Sequence, residues 1–303
     1  MKYELIIIRY GEIGLKARYT RQQFENKLAS NIKKALNREK IVYKLKKKRG
    51  RFYLYTEQIK ESINVLKKIF GITTISPAVK TKSDMKLMTK LGVNISKEII
   101  TKKDSFALRI NRDGKHNYTS QDVAIKMGNE IVKTTKTSVD LTNPNFKLFI
   151  EIKDDNAFFF VEKIYGPGGL PLGTQGNVMV IIDSPFSILS SWYMMRRGCN
   201  TVFAIKNDSM NDIVKDFNSK WNASSVVFKI NSDKTFYTEL NKKCLEYNCN
   251  AIVTGHTLSM DPKEIINEIN NLKKHLEKPV LTPLIAMNVD KIKQKLGRIG
   301  IQI

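Results

Sequence analysis

The sequence predicts an α+β front half joined to a doubly wound parallel α/β back half. Three observations carry this expectation. Short strand-like runs alternate with amphipathic stretches up to residue 165, five glycines and two prolines crowd into residues 166–176, and the continuous apolar run Asn177–Ile182 is followed at once by a helical stretch and a second strand.

In the front half, Tyr3–Tyr10 reads as an apolar strand, and Phe24, Leu28, Ile32 and Leu36 recur at helical spacing within Arg21–Leu36. Val42–Lys46 and Phe52–Tyr55 read as strands around the basic turn Lys47-Lys48-Arg49-Gly50-Arg51, and Ile63–Phe70 as a short helix ending at Gly71. That order predicts a small split β-α-β sandwich. A second unit starts after Pro77, with a helix over Leu87–Ile100, a strand over Ser105–Ile110, a helix over Ser120–Val132, and a hairpin from Lys147–Ile152 and Ala157–Val161. Behind the glycine-rich linker, strands at Thr201–Ile205, Val226–Ile230 and Ala251–Thr254 alternate with helices at Phe186–Arg197, Leu240–Tyr247 and Pro262–Leu276, the pattern of a parallel sheet covered on both faces. The expected domains are 1–75, 76–165, the linker 166–176, and 177–303.

Charge narrows the class of partner. The chain carries 52 Lys+Arg against 29 Asp+Glu, a net charge of +23 and a pI near 9.8, and residues 1–175 hold 35 basic and 17 acidic groups, a net charge of +18. Such an imbalance favours a polyanionic partner bound by the front half. The basic residues are not gathered on one amphipathic helix beside large apolar groups, which argues against a membrane surface. No run of 18 apolar residues is present, and KYELIIIRY follows Met1 directly, so the expected location is the cytoplasm. Three cysteines make no disulfide framework, and three histidines, His116, His256 and His275, offer no metal-ligand set.

Four stretches in order, IRYGEIGLKARYTRQQFENKL with Asn31 and Ile32, ALRINRDGKH, VDLTNPNFKLFIEI and GPGGLPLGTQG, resemble successive signatures of the tRNA 4-thiouridine synthetases. The resemblance covers the first 176 residues. It implies a ferredoxin-like N-terminal domain, a THUMP domain, and a hinge into a PP-loop ATPase-like domain of doubly wound form. It also implies that the front half grips the acceptor region of tRNA. Arg109, Arg112 and Lys115 match the THUMP region, and Lys47, Lys48, Arg49 and Arg51 are placed to add phosphate contacts. Glu12, in YGE, is expected to hold a loop instead, because a carboxylate repels phosphate.

The same resemblance exposes departures in the back half. Family members carry Ser-Gly-Gly-Ile-Asp-Ser-Pro after the first strand, where glycines let backbone N–H groups close on ATP phosphates. Here the text is VMVIIDSPFSILSSWYMMRRG, which lacks those glycines whether it is aligned on Asp183-Ser184-Pro185 or on Met194-Met195-Arg196-Arg197-Gly198, and the second alignment puts Asp183, Ser184, Pro185 and Ser187 in the loop. Thr254-Gly255 matches a later family motif, but HTLSMDPKE follows it, and Asn288-Val289 replaces the usual Asp-Lys near the end. The chain also ends at Ile303, short of the family's usual C-terminal extension.

The expectation is therefore a tRNA-binding member with an inactive nucleotide loop, serving as an adaptor or accessory in tRNA modification. It would need no cofactor, have no assigned catalytic residue, and take a sulfur-donor or tRNA-modifying protein as a further partner. The alternative is an active ATP- and magnesium-dependent tRNA sulfurtransferase making 4-thiouridine. Asp183, Ser184, Ser187, Thr254 and Gly255 are the nucleotide-site candidates in either case. Cys244 and Cys249, read as two positions of one helix about 140° apart, are expected to be packing residues, as is Cys199. The sequence leaves the oligomeric state open.

Overall fold

A computed structural model describes residues 1–48, 50–221, 226–231, 235–259 and 261–302. The first elements are β1 (Leu5–Tyr10), α1 (Arg18–Arg38), β2 (Lys44–Lys48), β3 (Arg51–Tyr55), α2 (Ile59–Leu66), β4 (Ile72–Lys82), α3 (Met85–Ile99), β5 (Ser105–Asp113), α4 (Ser120–Thr135), β6 (Ser138–Val139), β7 (Phe146–Lys153), β8 (Asn156–Phe160) and β9 (Ile164–Tyr165). Then follow β10 (Asn177–Ile182), α5 (Pro185–Arg196), β11 (Asn200–Ile205), α6 (Asn211–Trp221), β12 (Val226–Lys229), α7 (Phe236–Glu246), β13 (Cys249–Val253), α8 (Pro262–His275), β14 (Val280–Leu281) and α9 (Val289–Arg298). The chain divides into two compact units. One comprises Met1–Arg9, Glu39–Asn64 and Thr74–Tyr165, and the other Tyr10–Arg38, Val65–Thr73 and everything from Gly166 on.

The first unit is built on one sheet in the order β2-β3-β1-β4-β8-β7-β5-β6, with β9 paired to β4. Period-two alternation sets its faces. On β7, Leu148, Ile150 and Ile152 are buried against Met88 and Ile95 of α3 and Val123, Met127 and Ile131 of α4. Gly92 lets the two helices meet, since a β-carbon there would collide with the Met127 side chain. Both helices start at real caps: Asp84 accepts from Leu87 N at 2.8 Å, and Thr119 and Asp122 form a reciprocal capping box. On the opposite face, Leu5, Ile7, Tyr53, Ala78, Phe158 and Phe160 form a second buried cluster. Tyr53 on β3 and Phe158 on β8 stack at 4.8 Å although β1 and β4 separate their strands, so the sheet curls over this face.

Three local expectations are corrected. The second helix runs over Ile59–Leu66, earlier than the stretch Ile63–Phe70. The passage around Pro77, read as a break between units, is the eleven-residue strand β4. Glu4 N donates to Ala78 O, so residue 78 points its backbone groups toward β1 and residue 77 points toward the other side. There β9 pairs with Thr74 and Ile75 and β8 begins at Val79, so Pro77 sits in the gap and its missing N–H costs no ladder bond. Finally, Cys249 opens β13 while Cys244 lies in α7, so the two thiols do not share a helix.

In the second unit a parallel sheet has the order β12-β11-β10-β13-β14. Alternate residues of its central strands face two separate cores. Val178, Val180, Ile182, Phe203 and Ile205 pack with α5, α6 and α9, while Met179, Ile181, Val202, Ala204 and Ile252 pack with α7 and α8. The chain goes from β10 outward through β11 and β12, then returns to the other side of β10 as β13. That reversal opens a crevice at the carboxyl ends of β10 and β13.

The glycine-rich stretch is a docked strap. Leu170 N donates to Arg196 O at 2.9 Å, Gly173 N to Gly198 O at 2.8 Å, and Asn31 of α1 donates its side-chain amide to Leu172 O at 3.1 Å. Gly169 has φ +73°, and a β-carbon there would collide with the Arg196 carbonyl oxygen. Gly169→Ala is expected to lower stability by about 1–3 kcal/mol, through steric overlap and left-handed backbone together, measured by urea denaturation. Among the described residues, no helix is long and apolar enough to cross a membrane.

Candidate nucleic-acid interface and phosphate loop

β2, KLKKK, is an edge strand with Lys44, Lys46, Lys47 and Lys48 exposed. Lysines on an edge repel a further strand and leave a row of cations in water. Arg49 lies outside the described residues. Arg51, the first residue of β3, is half-buried and is occupied within the protein: its Nε donates to Glu151 Oε2 at 3.3 Å and its Nη1 to Gly50 O at 2.7 Å. Glu151 also takes Arg9, whose Nη2 lies 2.7 Å from Oε1, and Arg9 donates through Nη1 to Ser76 Oγ at 2.9 Å. Burial pushes the Arg9 guanidinium pKa down, and the Glu151 carboxylate opposes that shift. Burial, reinforced by Glu151, pushes the Tyr53 phenol up to about 12.

Glu151 is paired in register with Asn111 of β5. The β2–β3 hairpin and the basic end of β5 stand at opposite ends of the strand order, yet the Arg51–Glu151 contact brings them together across the curled face. Sequence reasoning missed this carboxylate, whose only signal was an acidic residue between Ile150 and Ile152.

The β5 residues divide by role. Arg109 is exposed and donates through Nη2 to Leu141 O at 2.6 Å, which steadies the loop after β6 and leaves its charge without an acidic partner among the described residues. That loop is set by Asp140, which accepts from Thr142 N and Asn143 N, and by Asn145, which accepts from Ser105 N. Arg112 is half-buried. Its Nη1 donates to Gly114 O at 3.2 Å and lies 3.3 Å from His116 Nδ1, while His116 Nε2 donates to Asp154 O at 2.8 Å. Arg112 therefore shapes the turn from which exposed Lys115 projects. Lys47, Lys48, Arg109 and Lys115 are the exposed cations of the set, of which Lys48, Arg109 and Lys115 have no acidic partner among the described residues, and Arg51 and Arg112 are its supports.

At the crevice of the second unit, Asp183, Ser184 and Ser187 come together. Asp183 N and Ser184 N each donate to Ser187 Oγ at 3.2 Å, and that hydroxyl, fully buried, lies 3.0 Å from Asp183 Oδ1 and 2.6 Å from Ser184 O. Pro185 follows as the first residue of α5, with no N–H to offer. Two backbone donors of this loop are thus satisfied by the protein's own side chain.

Thr254 and Gly255 stand beside this loop. A β-carbon at Gly255 would lie 2.6 Å from Ser187 N, so the glycine permits the close crossing of the two segments. Thr254 Oγ1 is 2.9 Å from His256 Nδ1, and His256 Nε2 is 3.1 Å from Glu268 Oε2. Thr257 Oγ1 donates to Met287 O at 2.5 Å and Leu258 N to Ile285 O at 3.0 Å, so the HTLS stretch ties β13 to the segment after β14. A cavity of about 270 Å³ opens here, walled by Asp183, Lys206, Phe236, Tyr237 and His256. Glu12 pairs with Arg197 at 3.3 Å. Cys199, Cys244 and Cys249 are buried, and no cluster fit to hold a metal ion occurs among the described residues.

Comparison with known proteins gives matches along most of the chain. Residues 5–76 match the ThiI ferredoxin-like domain, residues 82–162 the THUMP domain, and residues 209–302 the family described as Thiamine biosynthesis protein (ThiI). A protein of Methanobrevibacter smithii named "Probable tRNA sulfurtransferase" is 32% identical over 338 residues, which covers 98% of this chain and 87% of that protein. The solved structure of PH1313 from Pyrococcus horikoshii superposes with a TM-score of 0.83 at 28% identity, covering 98% of this chain and 100% of the other. A 4-thiouridine synthetase solved with RNA and bound ATP shares the fold at a TM-score of 0.80 and 23% identity, covering 98% of this chain and 85% of that one.

Proposed function

The chain belongs to the tRNA sulfurtransferase family of 4-thiouridine synthetases, and from that premise we propose that it binds the acceptor region of tRNA through its first unit while its phosphate loop is closed to ATP. In this reading it acts as an adaptor or accessory in tRNA modification. The observation that carries it is the Ser187 hydroxyl, which accepts from both Asp183 N and Ser184 N. A polyphosphate entering there would break both bonds and face the Asp183 carboxylate at short range. Lys47, Lys48, Arg109 and Lys115 supply the phosphate contacts on the first unit.

One observation favours the second reading, an ATP-dependent sulfurtransferase. The cavity at the switch point persists beside Thr254-Gly255. The two readings separate in a thermal shift measurement with millimolar ATP and magnesium, followed by an assay for thiolated tRNA with a sulfide donor. A site with a ~10 μM dissociation constant would add about 2.7 kcal/mol at 1 mM nucleotide. The expected result is no shift and no thiolated product; a clear upward shift with product would establish the active enzyme instead.

A further inference from the structure

The second unit holds a cavity of about 300 Å³ that lies away from the phosphate loop. One wall is a stripe of α1, where Lys27, Asn31, Lys34 and Arg38 recur at helical spacing, and Lys68 closes the side. No carboxylate lines the cavity, and none of these four cations has an ion-pair partner among the described residues. The only acidic residue of α1, Glu25, is buried and accepts from the Tyr10 hydroxyl. Four like charges around one recess repel one another, and its low-dielectric walls focus their field on whatever enters.

The apolar side of the cavity is aromatic. Phe70 is 2% exposed, and the Trp221 ring lies 5.5 Å from it, held in place by donation from Trp221 Nε1 to Ile299 O at 3.1 Å. The glycine strap admits the Lys27 side chain, because a β-carbon at Gly173 would come within 2.8 Å of its Cε and Nζ. Cations without counterions beside a fixed, half-buried ring match a ligand that is both phosphorylated and flat. A recess of this volume holds one nucleotide and excludes a duplex, whose bases are stacked inside.

We propose that this cavity takes an unpaired nucleotide of the bound RNA, its phosphates on Lys27, Lys34, Arg38 and Lys68 and its base against Trp221. The proposal rests on the RNA-binding reading given above and extends the contact to a single-stranded segment.

The test uses the full-length chain and two hairpin RNAs, one blunt and one with a four-nucleotide single-stranded overhang, with free AMP as a third probe. Affinity is measured by anisotropy and Trp221 contact by fluorescence in a Trp192→Phe background. The overhang is expected to tighten binding about tenfold over the blunt hairpin and to quench Trp221, as base stacking on an aromatic ring does. Lys34→Glu with Arg38→Glu, both exposed helix positions, should abolish that advantage and leave blunt-hairpin affinity within about twofold. An overhang advantage that survives the double substitution would overturn the site, while loss of binding to both hairpins in the unsubstituted protein would overturn the RNA reading and the site with it. AMP binding as tight as the overhang RNA would identify a free nucleotide as ligand and overturn the RNA assignment.

Discussion

Replacing Lys47, Lys48, Arg109 and Lys115 together by alanine is expected to weaken tRNA binding roughly 100-fold at moderate salt. The slope of log affinity against log salt should fall in magnitude by about 3–4, since each lost phosphate contact removes nearly one unit. All four side chains are exposed, and Lys48, Arg109 and Lys115 have no carboxylate partner among the described residues, so their removal acts on the RNA and little on the fold. Phosphate contacts position without reading sequence, so the loss should be uniform across tRNAs. Anisotropy titrations between low and physiological salt check both numbers, and unchanged affinity would move the surface elsewhere. Arg51 and Arg112 are poor choices for such an experiment. Their guanidinium groups hold Glu151 and the turn at Gly114, and truncating them would confound binding with local collapse.

Glu151→Ala should cost about 3–5 kcal/mol of folding stability, because it strands the Arg9 guanidinium in a nearly buried position. That is a large share of the stability of an ordinary domain. Arg9 also lies over the Phe160 ring at 4.7 Å, so its stem and head are both fixed where water cannot replace the lost carboxylate. Arg51→Ala should cost much less, since Glu151 keeps its pair with Arg9 and no buried charge is stranded. Urea denaturation of the two variants gives the comparison, and equal costs would contradict the assigned roles. Joint replacement of Arg9 and Glu151 by methionine should recover most of the loss, as buried ion pairs are replaceable by packed apolar groups.

The parts of this fold written in local pattern were legible in the sequence. The run Asn177–Ile182 became the central strand of a parallel sheet, and Phe106 and the alternating apolar residues of β7 became a helix-covered face. Where a residue's role depends on distant chain, sequence reading failed. Pro77 reads as a break because proline is excluded from most ladders, and only the staggered starts of β8 and β9 make room for it. The absence of glycines from the loop is plain in the sequence, but the Ser187 hydroxyl that accepts from two of its backbone N–H groups emerges only from the turn geometry of Asp183 and Ser184. The cavity beside α1 has no local signature in the sequence, because its aromatic wall comes from Phe70 and Trp221, far along the chain.

The path of the chain has a consequence for how the protein comes apart. The backbone passes from one unit to the other five times, and β1, α2 and β4 each have residues in both. A strand or helix cannot dissolve in one half and persist in the other without exposing its backbone groups at the break. A single proteolytic cut after residue 175 would leave the three segments of the first unit on one fragment but sever α1 from the rest of the unit to which it belongs.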